Sequence, residues 1–138
     1  MVDRLLMTVP DGPEYVGTVR IAAAHIANLA KFDIEAIDDI KVAVSEACTN
    51  IICHAHESSD FQYEVIFERE DGRITITVSD TGAGFGLDEY VEPVPGEEKG
   101  SGLGIFIIRA LMDEVDIHSE LGAGTKIQMT KRLQSKIA

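Results

Sequence analysis

The chain has 138 residues, of which 45% are hydrophobic and 26% charged, a length and composition typical of one soluble domain that buries its core without disulfides. No apolar run approaches the ~20 residues that a membrane span requires, and residues 1–7 lack the pattern of a secretory signal. We therefore expect a single cytoplasmic domain over residues 1–138. The formal net charge of −12 repels phosphate backbones and argues against direct nucleic-acid binding.

The first part of the chain predicts one strand followed by two helices. Residues 5–9 form a short apolar run that Pro10 stops, which is typical of a strand. Apolar side chains then recur at helical spacing over residues 13–31, and Asp33 is placed to cap a second helix. One apolar stripe of that second helix comprises Ile37, Ile40, Val44, Cys48, Ile51 and Ala55.

The second part predicts four strands and one helix. Residues 62–70 and 73–80 favour β-structure and flank Asp71-Gly72, a hairpin turn. An acidic, proline-containing segment over residues 87–99 is a candidate lid. A third helix is expected to begin near Gly102, followed by strands over residues 115–119 and 125–133.

Hairpin strands favour a largely antiparallel sheet, and one apolar stripe per helix favours packing on a single face. The predicted fold is an α/β two-layer sandwich with a mixed, largely antiparallel sheet and three helices on one face.

Glu46 and Asn50 lie one turn apart on the second helix, facing away from its apolar stripe. A carboxylate there could accept a proton, and an amide oxygen could join a magnesium shell. In isolation the same pair also fits a solvated polar face.

Two glycine motifs follow. Asp80 precedes Gly82 and Gly84, so a carboxylate could accept a hydrogen bond from an exocyclic amine beside a backbone without Cβ atoms. The Gly-Ser-Gly-Leu-Gly run at residues 100–104 opens a helix, whose free N–H groups favour a phosphate. Neither motif matches the dinucleotide fingerprint or a Walker loop.

The cysteines and histidines do not suggest a transition-metal site, because their spacing is not ligand-like. Cys48 and Cys53 lie about 140° apart on one helix, which excludes a disulfide within it, and we interpret both as packing thiols.

Together the motifs resemble those of the GHKL ATPases, the Bergerat-fold group that includes histidine kinase catalytic domains. The resemblance is closer to the bacterial anti-sigma factor serine kinases of stress response and sporulation. Residues 44–50 resemble the N box, residues 80–84 the first glycine box, residues 100–104 the second, and residues 122–125 the closing glycine-threonine element.

The resemblance implies a protein serine kinase that uses ATP and Mg²⁺. Glu46 would be the general base, Asn50 would ligand Mg²⁺, Asp80 would contact the adenine amino group and Thr125 would hold the adenine edge. The other implied nucleotide-binding residues are His54, Gly82, Gly84, Lys99, Gly100, Ser101, Gly102, Leu103 and Gly104.

The resemblance also implies partners. A sigma factor would be bound and inhibited, a small anti-anti-sigma protein would be the serine substrate, and the chain would form a homodimer. Arg20 would contact both protein partners. Two alternatives stay open: an ATP-dependent clamp that sequesters its partner without kinase activity, and the catalytic domain of a histidine kinase detached from its phosphoacceptor.

Overall fold

The computed structural model describes residues 2–54, 62–80, 100–120 and 124–134. Its elements, in chain order, are β1 Asp3–Pro10, a 3₁₀ turn Pro13–Tyr15, α1 Val16–Leu29, α2 Ile34–His54, β2 Gln62–Glu70, β3 Arg73–Ser79, α3 Gly100–Leu111, β4 Glu114–Glu120 and β5 Gly124–Arg132. The predicted lid at residues 87–99 lies outside the described residues, as do Gly82, Gly84, Lys99 and residues 121–123.

The described strands form one sheet of order β1-β2-β3-β5-β4. Every strand pair within it is antiparallel, so the expectation of a mixed sheet was wrong in that detail. β3 and β4, which the chain joins through α3, run in the same direction, but β5 lies between them and no parallel ladder forms. The predicted two-layer sandwich is confirmed.

The core lies between the sheet and its helices, and α2 is the central helix because it packs against both α1 and α3. Alternate residues of β3 and β5 face this core; Ile76, Val78, Ile127 and Met129 are fully buried. A helix with a neighbour on each side must bury more than one stripe, and Ala43 and Ala47 of α2 are accordingly buried beside Val44. A different side of α2, which carries Glu46, packs against α3.

The boundaries of the first two helices depart slightly from the predicted ones. Pro13 begins a 3₁₀ turn rather than α1 itself, and α1 ends at Leu29. The chain then reverses through Lys31, whose φ of 71° is left-handed. Asp33 caps α2 as predicted, since its Oδ1 accepts a hydrogen bond from the backbone N–H of Ala36 at 2.9 Å.

The two cysteines differ, and the interpretation of both as packing thiols was wrong for Cys53, which is exposed. Cys48 is fully buried. Burial raises the pKa of the Cys48 thiol to about 12, and its hydrogen bond with Tyr63 opposes part of that rise. Cys53 lies about 140° from Cys48 around the axis of α2, on a side of the helix that is open to solvent.

Candidate functional site

The ends of β3 and β5 bring together two residues that are far apart in the sequence. The backbone N–H of Asp80 donates a hydrogen bond of 2.9 Å to the carbonyl oxygen of Thr125. Thr125 is only 2% exposed, and its hydroxyl lies 2.8 Å from the hydroxyl of Ser119 on β4. One corner of the sheet therefore brings Asp80 beside Thr125, and Thr125 beside Ser119.

Ser119 was not among the predicted site residues. Its place follows from the pairing of β4 with β5, in which Ser119 lies opposite Thr125. Strand register is not visible in a motif of consecutive residues, because it depends on which residues of two strands lie opposite each other.

The carboxylate of Asp80 is held partly out of solvent. The residue is half-buried, and its Oδ2 atom is fully buried. A carboxylate is suited to accept a hydrogen bond from an amine of a planar base.

Glu46 and Asn50 lie on the side of α2 that faces away from its Ile40–Val44 stripe. Asn50 is nevertheless only 3% exposed, and its Oδ1 atom is fully buried, while Glu46 is half-buried. α3 packs against α2, and its Gly104 lies beside the carboxylate of Glu46. Glu46 therefore lies at an interface between two helices, and the burial of Asn50 does not fit a solvated polar face.

The contact between Glu46 and α3 is unusually close. A Cβ atom added at Gly104 would lie 3.0 Å from Glu46 Oε2 and 3.9 Å from the Glu46 backbone oxygen. Gly104 is buried, and its lack of a side chain lets α3 approach the carboxylate. The structure thus gives the last glycine of the predicted second glycine box a packing role toward Glu46.

The helix that carries this glycine begins at Gly100, two residues before the predicted start. Its first backbone N–H groups have no partner within the helix, and the helix dipole makes that end favourable for an anion. Since Gly104 lies only one turn inside α3, the carboxylate of Glu46 lies close to the phosphate-favouring end of that helix.

The described residues fit a magnesium nucleotide. The amide oxygen of Asn50 is a ligand type that suits Mg²⁺, Asp80 and Thr125 offer acceptors for an adenine, and the start of α3 suits phosphates. Of the other predicted residues, Arg20 is exposed on α1 and Leu103 is exposed on α3. His54 ends α2, and Ser101 and Gly102 lie in the first turn of α3.

Among the described residues, no helix is both long and apolar enough to cross a membrane.

Comparison with known proteins identifies the family. The family described as "Histidine kinase-like ATPase domain" matches residues 9–131. A curated protein of Halalkalibacterium halodurans named "Serine-protein kinase RsbW" is 38% identical over 136 residues, covering 93% of this chain and 82% of the relative. A protein of the same name from Listeria innocua is 34% identical over 145 residues, covering 99% and 91%.

Solved structures share the fold. The structure of the RsbU and RsbW domains of Rv1364c from Mycobacterium tuberculosis matches 95% of this chain with a TM-score of 0.71 and 23% identity, and this chain covers 32% of that one. A histidine kinase domain from Erythrobacter litoralis EL346 matches 90% of this chain with a TM-score of 0.59. By its family match and by its identity to these curated relatives, the chain belongs to the histidine kinase-like ATPase family and, within it, to the RsbW-type serine-protein kinases.

Proposed function

We propose that this protein is an anti-sigma factor kinase, which binds and inhibits an RNA polymerase sigma factor and phosphorylates a serine of its anti-anti-sigma antagonist with Mg-ATP. The family match and the named relatives support serine kinase activity and ATP use. The observation that carries the proposal is the position of Glu46, half-buried on α2 and packed against Gly104 near the start of α3.

Glu46 is the general base in this proposal. Its carboxylate accepts the proton of the substrate serine as the serine oxygen bonds to the γ-phosphorus. The bond from that phosphorus to the β–γ bridging oxygen breaks, and ADP leaves. Contact with α3 limits the freedom of the carboxylate, and this favours a fixed position for proton transfer.

The other residues bind the nucleotide. Asn50 would hold Mg²⁺ through its side-chain oxygen, and the ion would offset negative charge on the phosphates. Asp80 accepts a hydrogen bond from the adenine amino group, with Thr125 beside it. Residues 99–104 bind the phosphates of the nucleotide, and residues 87–100 act as a lid over it.

Arg20 belongs to the partner-binding part of the proposal. It is exposed on α1, where its guanidinium can form paired hydrogen bonds with carboxylates of the sigma factor or of the antagonist. We further propose that the protein acts as a homodimer in the cytoplasm.

The test compares Glu46→Gln with the wild type. Glutamine keeps the size of the side chain but cannot accept the proton, so phosphoserine formation on the antagonist should fall by about 10² to 10⁴-fold while Mg-ATP affinity is retained. Glu35→Gln is the matched control, since Glu35 is an exposed acid in the first turn of the same helix.

Transfer by Glu46→Gln at the wild-type rate would refute the base assignment. Retained sequestration of the sigma factor, with no phosphoserine on any antagonist from the wild-type protein, would instead support the ATP-dependent clamp.

A further inference from the structure

A lysine occupies an inward-facing position of the sheet. Inward positions of β5 alternate through Ile127 and Met129, which are fully buried, and the next position on that face is Lys131. Its side chain is only 15% exposed. Lysine is among the residues least often buried unless paired, so its partners indicate what it does there.

The ammonium group of Lys131 connects two helices to the sheet. Its Nζ donates a hydrogen bond of 2.6 Å to the carbonyl oxygen of Leu111, the last residue of α3. The same Nζ lies 3.7 Å from Asp39 Oδ2 on α2. The first contact satisfies a carbonyl that has no partner within α3, where a cation is also favoured by the helix dipole.

The α2–α3 pair has a second contact at its other end, where Gly104 packs against Glu46. Asp39 precedes Glu46 by seven residues on α2, and Leu111 follows Gly104 by seven residues on α3. Seven residues span about 10.5 Å of helix. The helices are therefore antiparallel and touch at two matched levels, one through Lys131 and one where Gly104 packs against Glu46.

We propose that Lys131 is a positioning residue for phosphoryl transfer: it fixes how far α3 slides along α2, and thereby holds Gly104 against the carboxylate of Glu46. Helices packed through interdigitated side chains shift in discrete steps rather than continuously. A contact at one end of the pair can therefore set the geometry at the other. The inference rests on the proposed role of Glu46 as base.

The test uses Lys131→Met, which keeps most of the alkyl stem and removes the charge. Asp39 and Lys131 both line a cavity of about 390 Å³, so water can reach Asp39 in the variant and we expect it to fold. Lys131→Arg retains a donor and is the conservative variant. Lys41→Met is the matched control, because the ion pair of Lys41 with Asp38 lies within α2.

Two measurements are made on each full-length variant: single-turnover transfer from saturating Mg-ATP to the antagonist, and hydrogen exchange of the α3 amides relative to those of α1. For Lys131→Met we expect transfer to fall between about tenfold and about a hundredfold and α3 exchange to accelerate selectively. Lys131→Arg should recover much of both, and Lys41→Met should change neither.

Three outcomes overturn the proposal: wild-type transfer and wild-type exchange in Lys131→Met, reduced transfer with unchanged α3 exchange, or equal acceleration of exchange in α1 and α3. Failure of the proposed function is distinguishable, because it would appear as wild-type transfer by Glu46→Gln, whereas the exchange measurement does not depend on which residue is the base.

Discussion

Replacing Gly104 by alanine should slow phosphoryl transfer without unfolding the protein. The added Cβ would lie 3.0 Å from Glu46 Oε2, about 0.5 Å closer than an ordinary contact. The carboxylate ends a rotatable side chain, whereas Gly104 is part of the α3 backbone, so we expect the added Cβ to displace the carboxylate rather than the helix. Since a misplacement of about 1 Å can cost about a hundredfold in rate, half that shift predicts a loss of about tenfold.

We expect Gly104→Ala to leave the free energy of unfolding nearly unchanged or to raise it slightly. Alanine is favoured over glycine inside a helix by about 1 kcal/mol, and this gain offsets the cost of moving Glu46. Gly17→Ala is the matched control: Gly17 also lies in a helix, and a Cβ there would meet nothing within 4 Å.

The assay measures single-turnover transfer to the antagonist at saturating Mg-ATP, together with urea unfolding of both variants. We expect Gly17→Ala to transfer at the wild-type rate and Gly104→Ala about tenfold more slowly. If both glycine variants transferred as fast as the wild type, the close approach of α3 to Glu46 would have no catalytic consequence, and the argument from this contact would be refuted.

Asp80→Asn should weaken ATP binding by roughly tenfold to a hundredfold, because a charge-assisted hydrogen bond is lost, as measured by calorimetric titration; unchanged affinity would contradict the role of Asp80. Thr125→Val removes the hydroxyl beside Ser119 and should lower the free energy of unfolding by about 1–2 kcal/mol, read from urea denaturation. A thiol reagent should modify exposed Cys53 in the native protein and buried Cys48 only on unfolding; equal rates would be inconsistent with this packing. Because burial raises the pKa of the Cys48 thiol from 9.0 to about 12, the folded chain keeps a proton that the unfolded chain releases. Stability should therefore fall between about pH 9 and pH 12, and Cys48→Ala should make that decline shallower.

Most of the architecture could be predicted because each element has a local signal. Asp33 precedes α2 as a cap, and Asp71-Gly72 joins β2 to β3 with Gly72 at a φ of 74°. Alternating residues such as Ile74 and Ile76 identify the buried face of β3. These features depend on neighbours within a few residues, so the sequence alone displays them.

What could not be predicted depends on contacts between distant elements. The closeness of Gly104 to Glu46 requires α3 beside α2, and the pairing of Asp80 with Thr125 requires β5 beside β3. The exposure of Cys53 depends on which sides of α2 are covered by α1 and α3. Lys131 belongs to no local sequence motif. Its partner Leu111 lies 20 residues away in the sequence, and its partner Asp39 lies farther still.

Residue types alone predict the candidate site. Glu46, Asn50, Asp80 and Thr125 carry the chemistry that a nucleotide site requires, and the structure places Asp80 against Thr125 and Glu46 against Gly104. Their individual roles stay predictions, as do those of His54 and of residues 99–102.

Calorimetric titration of ATP into the full-length protein, with and without Mg²⁺, is the most direct test that these residues form one nucleotide site. We predict saturable binding that strengthens with Mg²⁺ in the wild type, weakens in Asp80→Asn, and loses its Mg²⁺ dependence in Asn50→Ala. Absence of saturable heat from the wild-type protein in the presence of Mg²⁺ would contradict the nucleotide site and the kinase mechanism built on it.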